Sequence, residues 1–209
     1  MPRPLGRRNP DYEEKRVRLV RDLTDYVLST ELTRQSFRQM AIAGQVAEPT
    51  LRHYFGDRDG VAREILQELG ARAQPFISAV AQESVSPGQA VDAYVAISKA
   101  GVQHGGFARA HAFGLIEGVA DPAVGRTYLT ELLEPSLTAL EARLAPHLPS
   151  KDPLEARAAA LMLFAPMLLA VLHQQLLGGA EAAPVDLDAL FETIAKLATR
   201  VLSSPATPD

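Results

Sequence analysis

Between Ser36 and Arg58 the chain concentrates candidate nucleic-acid contacts: Arg38, Glu48, Pro49, Thr50, Arg52, His53, Tyr54 and Arg58. Guanidinium groups hold phosphate or read guanine, hydroxyls and imidazole reach phosphate or base edges, and a carboxylate can accept a hydrogen bond from cytosine. Arg38 and Arg58 suit the backbone, while Thr50, Arg52, His53 and Tyr54 suit the groove. Glu48 either reads a base or turns away from phosphate. Taken without its flanks, the same pattern also describes a packed helical hairpin with a solvated face.

These side chains need short, well-held helices. Ser36 followed by Gln39 is a capping-box pattern and starts a helix. Phe37, Met40 and Ala41 give it one apolar stripe. Gly44 and Gln45 supply a turn. Pro49 is tolerable only in the first turn of a helix, so a second helix begins at about Ala47 or Glu48. Leu51 and Phe55 face inward and Gly56 stops it. A helix this short cannot hold itself, and a first helix over Pro10 to Thr30, with Val20, Leu23, Val27 and Leu28 buried, is expected to pack across the pair.

Other chemistry finds little support. Five histidines (His53, His104, His111, His147, His173) are too scattered for a zinc site, and there is no cysteine for a disulfide, a thiolate ligand or a nucleophile. No phosphate loop, His-Glu-x-x-His pattern or nucleophile elbow occurs, so no enzyme, cofactor or metal is expected. The net charge is −4, but it is divided: residues 1–60 carry 11 Lys and Arg against 9 Asp and Glu, and 61–209 carry 10 against 16. The opening residues have no apolar segment of the kind a signal peptide needs, and a cytoplasmic protein is expected. Residues 1–8 read as a disordered tail whose Arg3, Arg7 and Arg8 could also serve as a basic arm.

Helix punctuation organises the rest. Asn9-Pro10 opens the first helix, and Asp57 caps a fourth that runs into the low eighties, with a bend expected at Gly70 or Pro75. Ser86-Pro87 opens a helix to about His104, and another follows from Phe107 to Gly118. Asp121-Pro122 opens one to about His147 with a kink at Pro135; Asp152-Pro153 opens one to about Leu177; Asp186 opens the last, to about Leu202. No run alternates strictly, so an all-α chain of about nine helices is expected: residues 9–57 as one domain and 58–209 as another.

Ala158 to Leu172 carries no charge, yet Pro166 interrupts it and His173 follows too soon for a membrane span. It is too apolar all round for the surface helix of a monomer. It therefore reads as a helix buried against a second copy of the chain, through Leu161, Leu168, Leu172 and Gln175 together with Leu190, Ile194, Leu197 and Val201 of the last helix. Bulky apolar residues with sparse polar ones (Tyr94, Phe107, His111, Phe113, Glu117, Tyr128, Phe164, Met167, His173 and Gln174) could be ordinary core or the lining of a small-molecule site.

The stretch from Lys15 to Leu69 resembles the DNA-binding domain of the tetracycline-repressor (TetR) family. That family has a Ser/Thr-capped helix with an Ile-Ala pair, a turn, Thr-Leu-Tyr-x-Tyr-Phe, and a basic residue three positions on. Here Ser36, Met40-Ala41, Thr50-Leu51-Arg52-His53-Tyr54-Phe55 and Arg58 stand in step. Leu32 and Gln45 stand where Gly is usual, Ala47 where a capping Ser is usual, and Arg52 where Tyr is usual. The resemblance implies a three-helix helix-turn-helix domain followed by a helical ligand-binding and dimerisation domain. It implies a homodimer on near-palindromic double-stranded DNA and a small hydrophobic or amphipathic effector in the helical body. A helical ligand- or partner-binding dimer that has lost DNA binding remains the alternative.

Overall fold

The computed structural model describes residues 10–103 and 106–203. The arm expected at 1–8, the Asn9 cap and His104 lie outside them. All regular structure among the described residues is helical: α1 (Pro10–Ser29), α2 (Phe37–Ala43), α3 (Glu48–Phe55), α4 (Arg58–Val80), α5 (Pro87–Gln103), α6 (Gly106–Ala120), α7 (Pro122–Tyr128), α8 (Glu134–Leu144), α9 (Pro153–Gln175), α10 (Gly179–Ala182) and α11 (Leu187–Leu202).

The helix starts follow the caps. Asp57, Asp121, Asp152 and Asp186 each accept backbone N–H groups with their side chains. One π turn, Leu129–Leu133, joins α7 to α8 where a kink at Pro135 was expected, and a short 3₁₀ turn, Ala145–His147, ends α8. Helix α10 was not foreseen: Gly178 takes a left-handed φ of 75° and starts a four-residue turn rather than only ending α9.

Helix α4 runs as one element through Gly70 and Pro75, where a bend was expected. Pro75 withholds only the hydrogen bond to Ala71, which faces solvent. Gly70 is there for contact: a Cβ at this position would lie 2.5 Å from the Glu131 carbonyl oxygen in the π turn. Pro135 has no N–H to offer that carbonyl four residues back, so the turn widens and α4 passes close over it. Arg143 of α8 completes the far end of α4. It is buried and donates to the carbonyls of Val80 (2.6 Å) and Ala79 (2.8 Å) and to the Ser84 hydroxyl (2.6 Å), standing in for the basic residue that α4 lacks in its own last turn.

Two hydrophobic clusters fill the interior. One joins α4, α5, α8, α9 and α11 around Val91, Leu140, Leu163, Val171 and Phe191. The other holds Leu23, Met40, Leu51, Ile65 and Leu66 of α1–α4 together with Phe113 of α6, Val124 and Tyr128 of α7 and Leu132. The expected boundary at 57/58 is thus no break in packing. Helix α9 is long and apolar enough to cross a membrane by length and composition, but Ala160, Leu163, Phe164, Met167 and Val171 turn one side of it into the first cluster.

Candidate nucleic-acid interface and ligand cavity

Helix α2 begins on the expected capping box: Gln39 N–H donates to Ser36 Oγ (3.2 Å) and Ser36 N–H to Gln39 Oε1 (2.8 Å). Met40 and Ala41 are buried, and at Gly44 a Cβ would lie 2.5 Å from Leu19 Cδ1, so α1 closes over the turn. Gln45 holds a φ of 52°, the left-handed region that glycine occupies without strain. Ala47 precedes α3 with no side-chain cap. Leu51 is fully buried and anchors α3 from below.

Above that anchor, Glu48, Pro49, Thr50, Arg52 and His53 are exposed, and Arg38 is exposed on α2. Arg52 lies over the Phe37 ring, 5.1 Å from its centroid, which orients its guanidinium. Tyr54 is half-buried, its ring centroid 4.8 Å from Tyr12, and His53 meets the same Tyr12 ring edge-on at 5.6 Å.

Arg58 is elsewhere. Its guanidinium is bidentate on Glu117 of α6 (2.7 and 2.6 Å) and its Nε–H donates to the Gln35 carbonyl (2.6 Å). Burial works against the charge, but Glu117 and Asp59 outweigh it, so its pKa is raised. Glu117, only 1 % exposed, also faces Arg34 at 3.4 Å. Both expectations are corrected together: Arg58 is held in an internal ion pair rather than free for phosphate, and Glu117 is its partner rather than a lining residue of the cavity described next. The two sit 59 residues apart, and nothing local in the sequence pairs them.

A cavity of about 240 Å³ opens among α1, α4, α5, α6, α8 and α9. Of the ten residues expected around a ligand, Tyr94, Phe107, His111 and Phe164 line it. Tyr128 stands behind His111, its hydroxyl 2.8 Å from Nδ1. Phe113 and Met167 lie in the two hydrophobic clusters. His173 and Gln174 fasten the end of α9 instead: Gln174 Nε2 lies 2.8 Å from His173 Nδ1 and donates to the Ala183 carbonyl (3.2 Å), while Gln174 Oε1 accepts from Val185 N–H (3.2 Å). Sequence reasoning missed the α4 wall, Arg72, Ala73, Phe76, Ile77 and Val80. Its signal was present as helical spacing beyond Leu69.

His111 packs among Phe107, Phe164 and Tyr128, with ring centroids 4.6, 5.5 and 5.8 Å away. Burial lowers its pKa to about 4, so the imidazole is neutral at pH 7. Burial also raises the Tyr94 and Tyr128 phenols.

Of the residues expected at a dimer contact, Leu161, Gln175, Leu197 and Val201 are exposed. Leu168, Leu172 and Ile194 pack half-buried on the first cluster, and Leu190 is half-buried. Met162 and Leu169, which sequence reasoning passed over, are 68 % and 62 % exposed on the same side of α9. Between α8, α9 and α11 an apolar groove of about 300 Å³ runs beside Met162, Pro166, Leu197 and Val201.

No protein-family model matches the sequence, and no curated protein matches it. Solved structures do match. One is described as a TetR-family transcriptional regulator from Mesorhizobium loti, with 13% identity, 93% of this chain and 97% of that chain covered, and a TM-score of 0.63. A second is a fatty acid degradation regulator from Bacillus halodurans, with 18% identity, 93% and 97% covered, and a TM-score of 0.58. At such identities the likeness is one of architecture: the chain has the all-α fold of the TetR-family transcriptional regulators.

Proposed function

We propose that this chain is a ligand-responsive DNA-binding transcriptional repressor that acts as a homodimer on a near-palindromic operator and is released by a small hydrophobic or amphipathic molecule. The outward face of α3 carries the reading. Thr50, Arg52 and His53 stand exposed on an eight-residue helix fixed from below by Leu51, and Arg38 is exposed on α2. In a two-fold dimer each α3 would enter one of two major grooves about one helical turn apart.

Release follows from the link between cavity and reading head. Helix α6 lines the cavity with Phe107 and His111 and holds Arg58, at the start of α4, through Glu117. His111 and Glu117 lie about 9 Å apart along the helix axis, at 1.5 Å per residue. A ligand that favours a displaced α6 would carry Arg58 and the Gln35 carbonyl with it and respace the two α3 helices. It must bind that displaced arrangement better than the DNA-bound one, or it shifts nothing.

Fluorescence anisotropy with a duplex taken from upstream of the chain's own gene tests the proposal. Specific, salt-dependent binding is expected, and the Thr50→Ala/His53→Ala double variant should weaken it about tenfold or more without lowering Tm. Absence of specific binding would overturn the DNA reading and leave a ligand-binding helical dimer. Equal operator affinity with and without bound ligand would overturn release.

A further inference from the structure

The cavity wall specifies more than an apolar occupant. Its polar groups among the described residues are Arg72, Tyr94, Ser98, His111 and Ser136. Arg72 is already taken: NH1 meets Asp25 at 2.5 Å and Nε meets Glu68 at 2.9 Å, so one guanidinium faces two carboxylates. Ser136 Oγ donates to the Leu132 carbonyl (2.7 Å), and the Tyr94 hydroxyl pairs with Ser98. His111 uses Nδ1 on the Tyr128 hydroxyl, which leaves Nε2 as the ring nitrogen a ligand could reach. Arg72 is the one cation among the residues that line the cavity, and with two carboxylates already on it the surplus there is negative. An anionic ligand would lose its hydration without compensation. A cation would have to share Asp25 and Glu68 with Arg72, which already holds both.

Size narrows the class. An apolar cavity of about 150 Å³ holds a benzene, so about 240 Å³ takes about ten heavy atoms.

Resting on the reading of this cavity as the effector site, we infer that its ligand is an uncharged molecule of about ten heavy atoms, apolar along its length, with one hydroxyl or carbonyl group that bonds to His111 Nε2. Neutral imidazole serves either way: it donates from Nε2 if the Tyr128 hydroxyl donates to Nδ1, and accepts there in the other tautomer. A hydroxyl suits both tautomers and a carbonyl the first.

Isothermal titration calorimetry on the full chain without DNA compares three probes of about ten heavy atoms at pH 7.5: 1-nonanol, nonanoate and butylbenzene. Nonanol should bind about tenfold or more tightly than nonanoate. In His111→Phe, nonanol should weaken about tenfold while butylbenzene keeps its affinity, which also shows that the variant folds and its cavity persists. Nonanoate binding as tightly as nonanol would overturn the inference, as would an unchanged nonanol affinity in His111→Phe or silence from all three probes. None of these results bears on operator binding, which stands or falls in the absence of ligand.

Discussion

Buried among Phe107, Phe164 and Tyr128, His111 has no place for a proton. Unfolded, it titrates near 6.5; folded, near 4. Between those values the unfolded chain takes up a proton that the folded chain refuses. Stability should therefore fall as pH drops from 6.5 to 4, by about 3 kcal/mol from this group, with no further contribution outside that window. Urea denaturation of the parent and of His111→Phe across pH 4–7 checks it: the variant's curve should be flatter by about one proton. Gln45 makes a second residue-scale case. Its φ of 52° strains an exposed non-glycine residue at the hairpin turn. Gln45→Gly should raise stability by about 0.5–1 kcal/mol, the relieved strain less the extra freedom of glycine in the unfolded chain.

At the scale of elements, α4 is a rod fixed at three points: Arg58 on Glu117 at its start, Gly70 on the π turn in its middle, and Arg143 on its last carbonyls. Removing one partner of the buried pair strands the other. Arg58→Ala should lower stability by about 3 kcal/mol, and the Arg58→Leu/Glu117→Leu double variant should recover much of it. Because Arg58 is engaged inside, its loss should leave the salt slope of operator binding unchanged, whereas Arg38→Ala should reduce that slope by about one unit. Salt titrations of both variants separate the two arginines. The rod also marks what could be read in advance. Helix starts were legible because Ser36, Asp57, Asp121, Asp152 and Asp186 cap within a few residues of themselves. The hairpin surface was legible because its residues are neighbours in sequence. The Arg58–Glu117 pair, the Arg143 clamp and the Gly70 contact join residues about sixty positions apart, and no local pattern encodes them. The cavity lay between: its aromatic members stood out, but which face of α6 and α9 each occupied depended on packing.

For the whole molecule, the proposed two-fold partner would cover the apolar side of α9 and α11. Met162 and Leu169 lead that side, with Leu161, Leu197 and Val201 around them. Met162→Glu with Leu169→Lys should give a monomer by light scattering and weaken operator binding by about tenfold or more, since two linked heads bind as one; an unchanged dimer mass would move the interface elsewhere.

The second hydrophobic cluster draws Phe113, Val124, Tyr128 and Leu132 in among the residues of α1–α4. The α1–α3 unit therefore shares its interior with the rest of the chain. Cut after residue 57, it would leave Met40 and Leu51 with only Leu19, Leu23 and Val27 of α1 to lie against, without Val61, Ile65 and Leu66 of α4. A peptide of that length should give the circular dichroism of a random chain, and the intact protein should melt in a single step.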